Sequence, residues 1–208
     1  MSGRPANGQQ PGPHPLPPAD LSDRRLPIRT FNLASWHRIH RCALDPLFFG
    51  DTVTYRFDAP VGEYGVLYCA RTQAGAFIEV FGSQLGVGPA RNTLDRKAVV
   101  LRCWTRVEAH RPLHLVDLTG RGLAAIGADE RLCAGDYDVS RRWSEAFYDH
   151  PSAPDGIYYR ARHDPSQRSV ALFDRVERNV MAQPGGTLLT DAVLLAQMLR
   201  RYQIDLIG

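Results

Sequence analysis

Lysine is nearly absent from this chain of 208 residues: Lys97 is the only one among 25 basic side chains, and the formal net charge is just +3. So small an excess argues against the dense basic surface of a direct nucleic-acid binder. The four cysteines, at 42, 69, 103 and 133, include no C-x-x-C pair and no close-spaced Cys/His cluster, which leaves no zinc framework. An H-E-x-x-H helix and a G-x-S-x-G elbow are also missing, which removes the common metalloprotease and serine-hydrolase signatures. No apolar run approaches membrane-spanning length, and the first residues lack a signal-peptide core. The expectation is a reduced, cytoplasmic protein without metal or membrane. Cys69 and Cys103, set in apolar runs, are expected to be small buried hydrophobes.

What replaces lysine is arginine, whose planar fork grips phosphates and carboxylates with paired hydrogen bonds. A G/C-rich codon bias accounts for the preference just as well, so the count alone identifies no ligand. Hydrophobic residues make up 44% and charged residues 23%, ordinary for a globular domain. Residues 1–27 hold seven of the fifteen prolines and little to bury. We therefore expect a disordered proline-rich tail over 1–30 and a single domain over 31–208.

The domain reads as α+β. Val66 to Ala70 is a short strand, and Thr72 to Gly82 a helix with Ala76, Phe77, Val80 and Phe81 at helical spacing and Gly82 as its stop. Alternation predicts a strand over Lys97 to Val107 and another over Leu113 to Leu118. Asp138 is placed to cap a helix carrying Val139, Trp143, Ala146 and Phe147. Gly156 to Ala161 and Ser169 to Phe173 read as paired strands. A last helix from about Thr190 presents Leu194, Leu195, Met198, Leu199 and Tyr202. Gly120-Arg-Gly122-Leu-Ala-Ala125 matches a G-x-G-x-x-A fingerprint, but no acidic residue ends a second strand about twenty residues on, so a tight turn into a helix is the better reading.

One constellation is left: Arg38, Arg56, Tyr68 and Glu79. Singly, each has an ordinary explanation as a surface arginine, a core tyrosine or a solvated glutamate. Together they offer cations for a pyrophosphate, a ring for stacking and one carboxylate for a cationic sugar.

The blocks that contain them resemble the RES-domain family, the toxins of RES–Xre toxin–antitoxin pairs. These are Trp36-His-Arg38-Ile, Arg56-Phe-Asp58, Gly65-Val-Leu-Tyr68-Cys-Ala with Ala76-Phe-Ile-Glu79, Leu115-Val-Asp-Leu-Thr119, Tyr137-Asp-Val-Ser140 with Trp143, and Asp155-Gly-Ile-Tyr-Tyr-Arg-Ala-Arg-His-Asp164. The resemblance implies a domain like the ADP-ribosyltransferase fold, with mixed and antiparallel sheets and flanking helices. It implies cleavage of the nicotinamide–ribose bond of NAD⁺ with inorganic phosphate or water as acceptor. The alternatives are ADP-ribosyl transfer to a protein and a weakly active NAD- and antitoxin-binding module. Residue by residue, it gives Arg38, Tyr68 and Glu79 catalytic roles and Arg56 and Arg162 roles in binding. An Xre-type antitoxin is the implied partner, and a homodimer is allowed. In one place the chain departs from the family: Ala161 stands where the pattern has a serine.

Overall fold

The computed structural model describes residues 14–85 and 92–208. Eight strands form one mixed sheet in the order β1-β6-β7-β8-β3-β2-β5-β9. They are β1 (Ile28–Phe31), β2 (Trp36–Arg41), β3 (Val66–Ala70), β5 (Arg102–Ala109), β6 (Leu113–Asp117), β7 (Gly156–Arg160), β8 (Arg168–Phe173) and β9 (Val180–Thr187). A parallel pair of β4 (Asn92–Asp95) and β10 (Ile204–Ile207) stands apart. Only β6 and β7 pair in parallel within the large sheet; all its other neighbours are antiparallel. The β6–β7 connection crosses over through α3 (Arg121–Ala125), α4 (Arg131–Ala134) and α5 (Tyr137–Tyr148). The expected α+β class, a single domain of sheet with flanking helices, is observed.

Both faces of the sheet centre are covered, which explains why residues 170–173 of β8 are a continuous apolar run rather than an alternating one. Trp143 and Phe147 of α5 pack on one face with Val66, Ile157, Tyr159, Ala171 and Phe173. Leu67, Cys69, Val170 and Leu172 face the other way, onto Trp36, Leu115 and Val176. A third cluster joins Phe77 and Phe81 of α1 (Gln73–Phe81) to Ile39, Ala70 and, from α6 (Ala192–Arg201), Leu194, Leu195 and Met198.

The centre of the sheet contains a seam. β2 and β3 share a single register pair, His37 with Ala70, while β2 runs on along β5 and β3 along β8. α1 packs across β2, β3 and β8. Its first turn is fixed by the Thr72 hydroxyl, which accepts a hydrogen bond from the Gly75 N–H.

Several expectations need correction. Residues 1–13 of the expected tail lie outside the described residues, but 14–30 pack onto the domain. Trp143 Nε1 donates to the Pro15 carbonyl at 2.8 Å, Leu21 and Leu26 are buried, and β1 pairs with β6. Two leucines and an indole partner outweigh a proline-rich composition. Within the expected strand over Lys97 to Val107, α2 (Arg96–Val100) forms instead, because the Asp95 carboxylate accepts from Lys97 N and caps a turn. The alternation is sound only from Thr105 and Val107 onward, both fully buried. Asp136, two residues before the predicted Asp138, caps α5. α1 does end at the expected Gly82, its C-cap, but without a left-handed turn, since the glycine's φ is −57°. Its need for glycine is one of space, since a Cβ would lie 2.6 Å from the His163 ring. Cys103 is not a buried free thiol, because it forms a disulfide with Cys42 across the β2–β5 pair. The antiparallel register sets His40 opposite Cys103 and so brings Cys42, one step beyond Arg41, into reach. Cys69 is buried and free, as expected.

Asp155 anchors the start of β7. It accepts two hydrogen bonds of 2.8 Å from the Arg111 guanidinium and one of 2.8 Å from His114 N. Burial alone would raise its pKa, but these donors lower it below the ordinary value. A carboxyl with a depressed folded-state pKa stabilises above its unfolded pKa, and the contribution is lost as pH falls through the folded one. Asp155→Ala is expected to cost about 2–3 kcal/mol at neutral pH by urea denaturation. The deficit should shrink in acid, where wild type loses the same interaction.

Candidate active site

Glu79 lies on α1, one residue before the apolar pair Val80 and Phe81. Its carboxylate is reached by solvent, yet protein atoms crowd it closely enough that loss of hydration raises its pKa to about 7. Access and crowding together describe a concave recess rather than an open helix face. Three neighbours oppose the rise: the Tyr159 hydroxyl, which donates to Oε2 at 3.1 Å, the Arg56 charge and the nearby Ser169 hydroxyl. Tyr159 comes from β7, and its own ionisation is suppressed by burial and by Glu79.

Arg56 sits in the loop before β3 and is 7% exposed. Its Nη1 donates to the Gly135 carbonyl at 2.9 Å and lies 3.4 Å from Ser140 Oγ, while its guanidinium stacks 4.5 Å from the Tyr137 ring centre. Nη2 has no protein acceptor. Burial pushes the group's pKa down, though an arginine remains charged. Gly135 also lines a cavity of about 390 Å³ with Cys133, Arg160, Ala161, Arg162 and Pro165. Arg162 is exposed and close enough to Arg56 to act on its charge.

Tyr68 projects from β3 with its ring half-buried. Its hydroxyl donates to Asp58 Oδ1 at 2.8 Å and accepts from Phe57 N at 2.9 Å, and Tyr55 meets its ring edge-on at 5.6 Å. Burial and Asp58 push the phenol well above its ordinary pKa, so it remains neutral. Arg38 occupies a different position. His37, Ala70 and Tyr68 share one face of the sheet by register, and Arg38 therefore leaves from the other. Its guanidinium lies in the seam, donating to the carbonyls of Phe48 (3.0 Å) and Tyr68 (3.4 Å). Burial lowers its pKa, and the titratable groups beside it are Cys69, Tyr55 and Asp45. Arg56 thus lies near both Glu79 and Arg162, and Tyr68 near Tyr159, with Arg38 behind the strand. Among the described residues no group of three or more His, Cys, Asp or Glu is placed to hold a metal.

Sequence reading assigned no role to Asp58, Tyr137, Ser140 or Tyr159, although all four lie inside the blocks quoted above. Asp58 is 1% exposed and also takes the N–H groups of Thr54 and Tyr55, so it shapes the loop that carries Arg56. Only a buried carboxylate beside that arginine could have signalled this, and burial is not visible in a sequence.

The features define a class: an α+β domain with a parted sheet and a recessed acid beside an arginine. Residues 35–191 match the RES domain, and the chain belongs to that family. A probable toxin of Sinorhizobium fredii, y4kH, is 29% identical over 102 residues, which span 49% of this chain and 80% of that protein. A chain in the crystal structure of the M. tuberculosis MbcT–MbcA toxin–antitoxin complex superposes with a TM-score of 0.58 at 14% identity, covering 79% of this chain and 88% of that one. That likeness shows the fold alone.

A carboxyl whose folded pKa is raised favours the folded state while protonated and disfavours it as pH rises through about 7. Glu79→Gln is therefore expected to raise the thermal unfolding midpoint at about pH 9 and to leave it unchanged at about pH 4, where both side chains are neutral. Paired melts at the two pH values check this.

Proposed function

We propose that this protein breaks the bond between nicotinamide and ribose in NAD⁺, with inorganic phosphate as acceptor and water as the competing one. The observation that carries this reading is the Glu79 carboxylate, recessed, reached by solvent and raised to about 7. As the bond breaks, its electron pair leaves with neutral nicotinamide, and positive charge spreads over C1 and the ring oxygen of the sugar. An ionised Glu79 stabilises that charge in a site where few waters screen it. The phosphate oxygen then bonds to C1, giving ADP-ribose 1″-phosphate. Tyr68, its ring held by Asp58, stacks against nicotinamide or the attached ribose. Arg56 and Arg162 hold the pyrophosphate or the incoming phosphate beside the Ala161 cavity. Arg38 keeps the seam in shape and lends positive charge from behind β3.

The two toxin relatives support toxin function and an antitoxin partner; an Xre type for that partner is the family expectation, and a homodimer is compatible with the reading. The substrate pool suits action in the cytoplasm, where thiol buffering would open the Cys42–Cys103 disulfide to two thiols. Ala161, 1% exposed at the cavity wall, supports a second reading: a slow enzyme or a module that binds NAD⁺ and antitoxin, with transfer to a protein as a variant of the first.

The test is timed NAD⁺ loss by purified protein, with and without phosphate, and mass spectrometry of the products. Nicotinamide and the 1″-phosphate are expected, and Glu79→Gln should be slower by about a hundredfold or more. The rate should climb with pH, because the ionised acid is the active form. The midpoint for kcat/KM is expected near 7. For kcat it should be lower, since bound cationic nicotinamide favours the carboxylate. Unchanged NAD⁺ that nevertheless raises the melting temperature would favour the binding module.

A further inference from the structure

Ser169 has no place in the mechanism above, yet its surroundings are unusual. It lies on β8, is fully buried, and its Oγ has no hydrogen-bond partner. A buried hydroxyl left unpaired costs on the order of 1–3 kcal/mol, so packing alone is a poor reason for a serine here; alanine would fill nearly the same space. Register sets Ser169 directly opposite Tyr159, and opposed residues on antiparallel strands project to the same face. The Tyr159 hydroxyl is the one that donates to Glu79. The Ser169 hydroxyl lies close enough to that carboxylate to lower its pKa, although the pair is not in good hydrogen-bond geometry in the free protein. The hydroxyl thus waits beside an acid that is about half protonated near neutrality and needs a donor only once ionised.

Ala161 belongs to the same hairpin. It follows Tyr159 by two residues, and its N–H bonds to the Gln167 carbonyl at 3.3 Å, which continues the β7–β8 ladder one step. Alternation therefore places Ala161 on the Tyr159 face, diagonal to Ser169. Two hairpin positions on one face flank the tyrosine that holds Glu79, and of these only Ser169 carries a hydroxyl.

We propose that Ser169 is a positioning residue for Glu79: its hydroxyl turns to donate to the ionised carboxylate, and together with Tyr159 it fixes the acid's orientation toward the substrate. This rests on the proposed role of Glu79, and the tests are chosen to keep the two apart. The first readout needs no substrate. In protein labelled at the glutamate carboxyl carbon, Ser169→Ala should move the Glu79 titration upward by about one pH unit, because the ionised form loses a donor. Adding Ala161→Ser to that variant should bring the titration back toward wild type from the diagonal position. The second readout is NAD⁺ turnover: Ser169→Ala should lower kcat about tenfold to a hundredfold with little change in KM and shift the pH profile with the titration. Its melting temperature should be equal or higher, since an unpaired polar group has been removed. An unmoved Glu79 titration in Ser169→Ala overturns the assignment whatever the activity. Wild type that fails to consume NAD⁺ sinks the proposed function alone and leaves the titration to decide this one.

Discussion

The single register pair between β2 and β3 is the constraint on which the rest of the molecule depends. Two sheet halves, β1-β6-β7-β8-β3 and β2-β5-β9, meet there with almost no shared ladder, so backbone groups along the seam need other partners. Arg38 meets part of that need by donating to the Tyr68 and Phe48 carbonyls, and the Gly50–Val66 bridge meets another part. α1 spans the same gap from one face, burying Phe77 and Phe81 against Ile39 of one half and Ala70 of the other. The helix that bridges the two halves also carries Glu79, whose carboxylate reaches over the β7–β8 side of the sheet to the Tyr159 hydroxyl.

The recess also sets the chemistry available to the acid. On an open helix face Glu79 would be ionised throughout the physiological range and too well solvated to act strongly on a neighbouring charge. Crowding raises its pKa to about 7, while Tyr159, Arg56 and Ser169 limit the rise. The protein thereby accepts a carboxylate that opposes folding when ionised, in exchange for one whose field is poorly screened. Local destabilisation of this kind is common where stability and activity compete.

Much of this was legible in sequence because it was local. β3, α1 and the β7–β8 hairpin follow from residue spacing, and α1 begins at the predicted Thr72. The parts that sequence misjudged were decided by partners far along the chain. Pro15 is held by Trp143 and Cys42 by Cys103. The site divides in the same way. Arg56 and Glu79 were identifiable as residue types, but their nearness needed the fold. The separation of Arg38 from them follows from strand parity at a pairing that no pattern in the sequence announces. Ser169 was legible only as a serine near the hairpin; its missing partner is a three-dimensional fact.

Arg56 and Glu79 are close enough to influence each other, yet among the described residues no carboxylate forms an ion pair with Arg56. A direct salt bridge would neutralise both groups and fill the recess with its own hydrogen bonds. Arg56 is instead held by groups that carry no formal charge: the Gly135 carbonyl, the Ser140 hydroxyl and the Tyr137 ring. These fix the guanidinium in place without cancelling it, and one of its nitrogens remains unpaired. The acid, for its part, is held by a phenol rather than by a cation. Such an arrangement keeps a positive and an ionisable negative group apart but within one recess. It suits a ligand with an anionic segment near a centre where positive charge develops, as the pyrophosphate and nicotinamide ribose of NAD⁺ are joined.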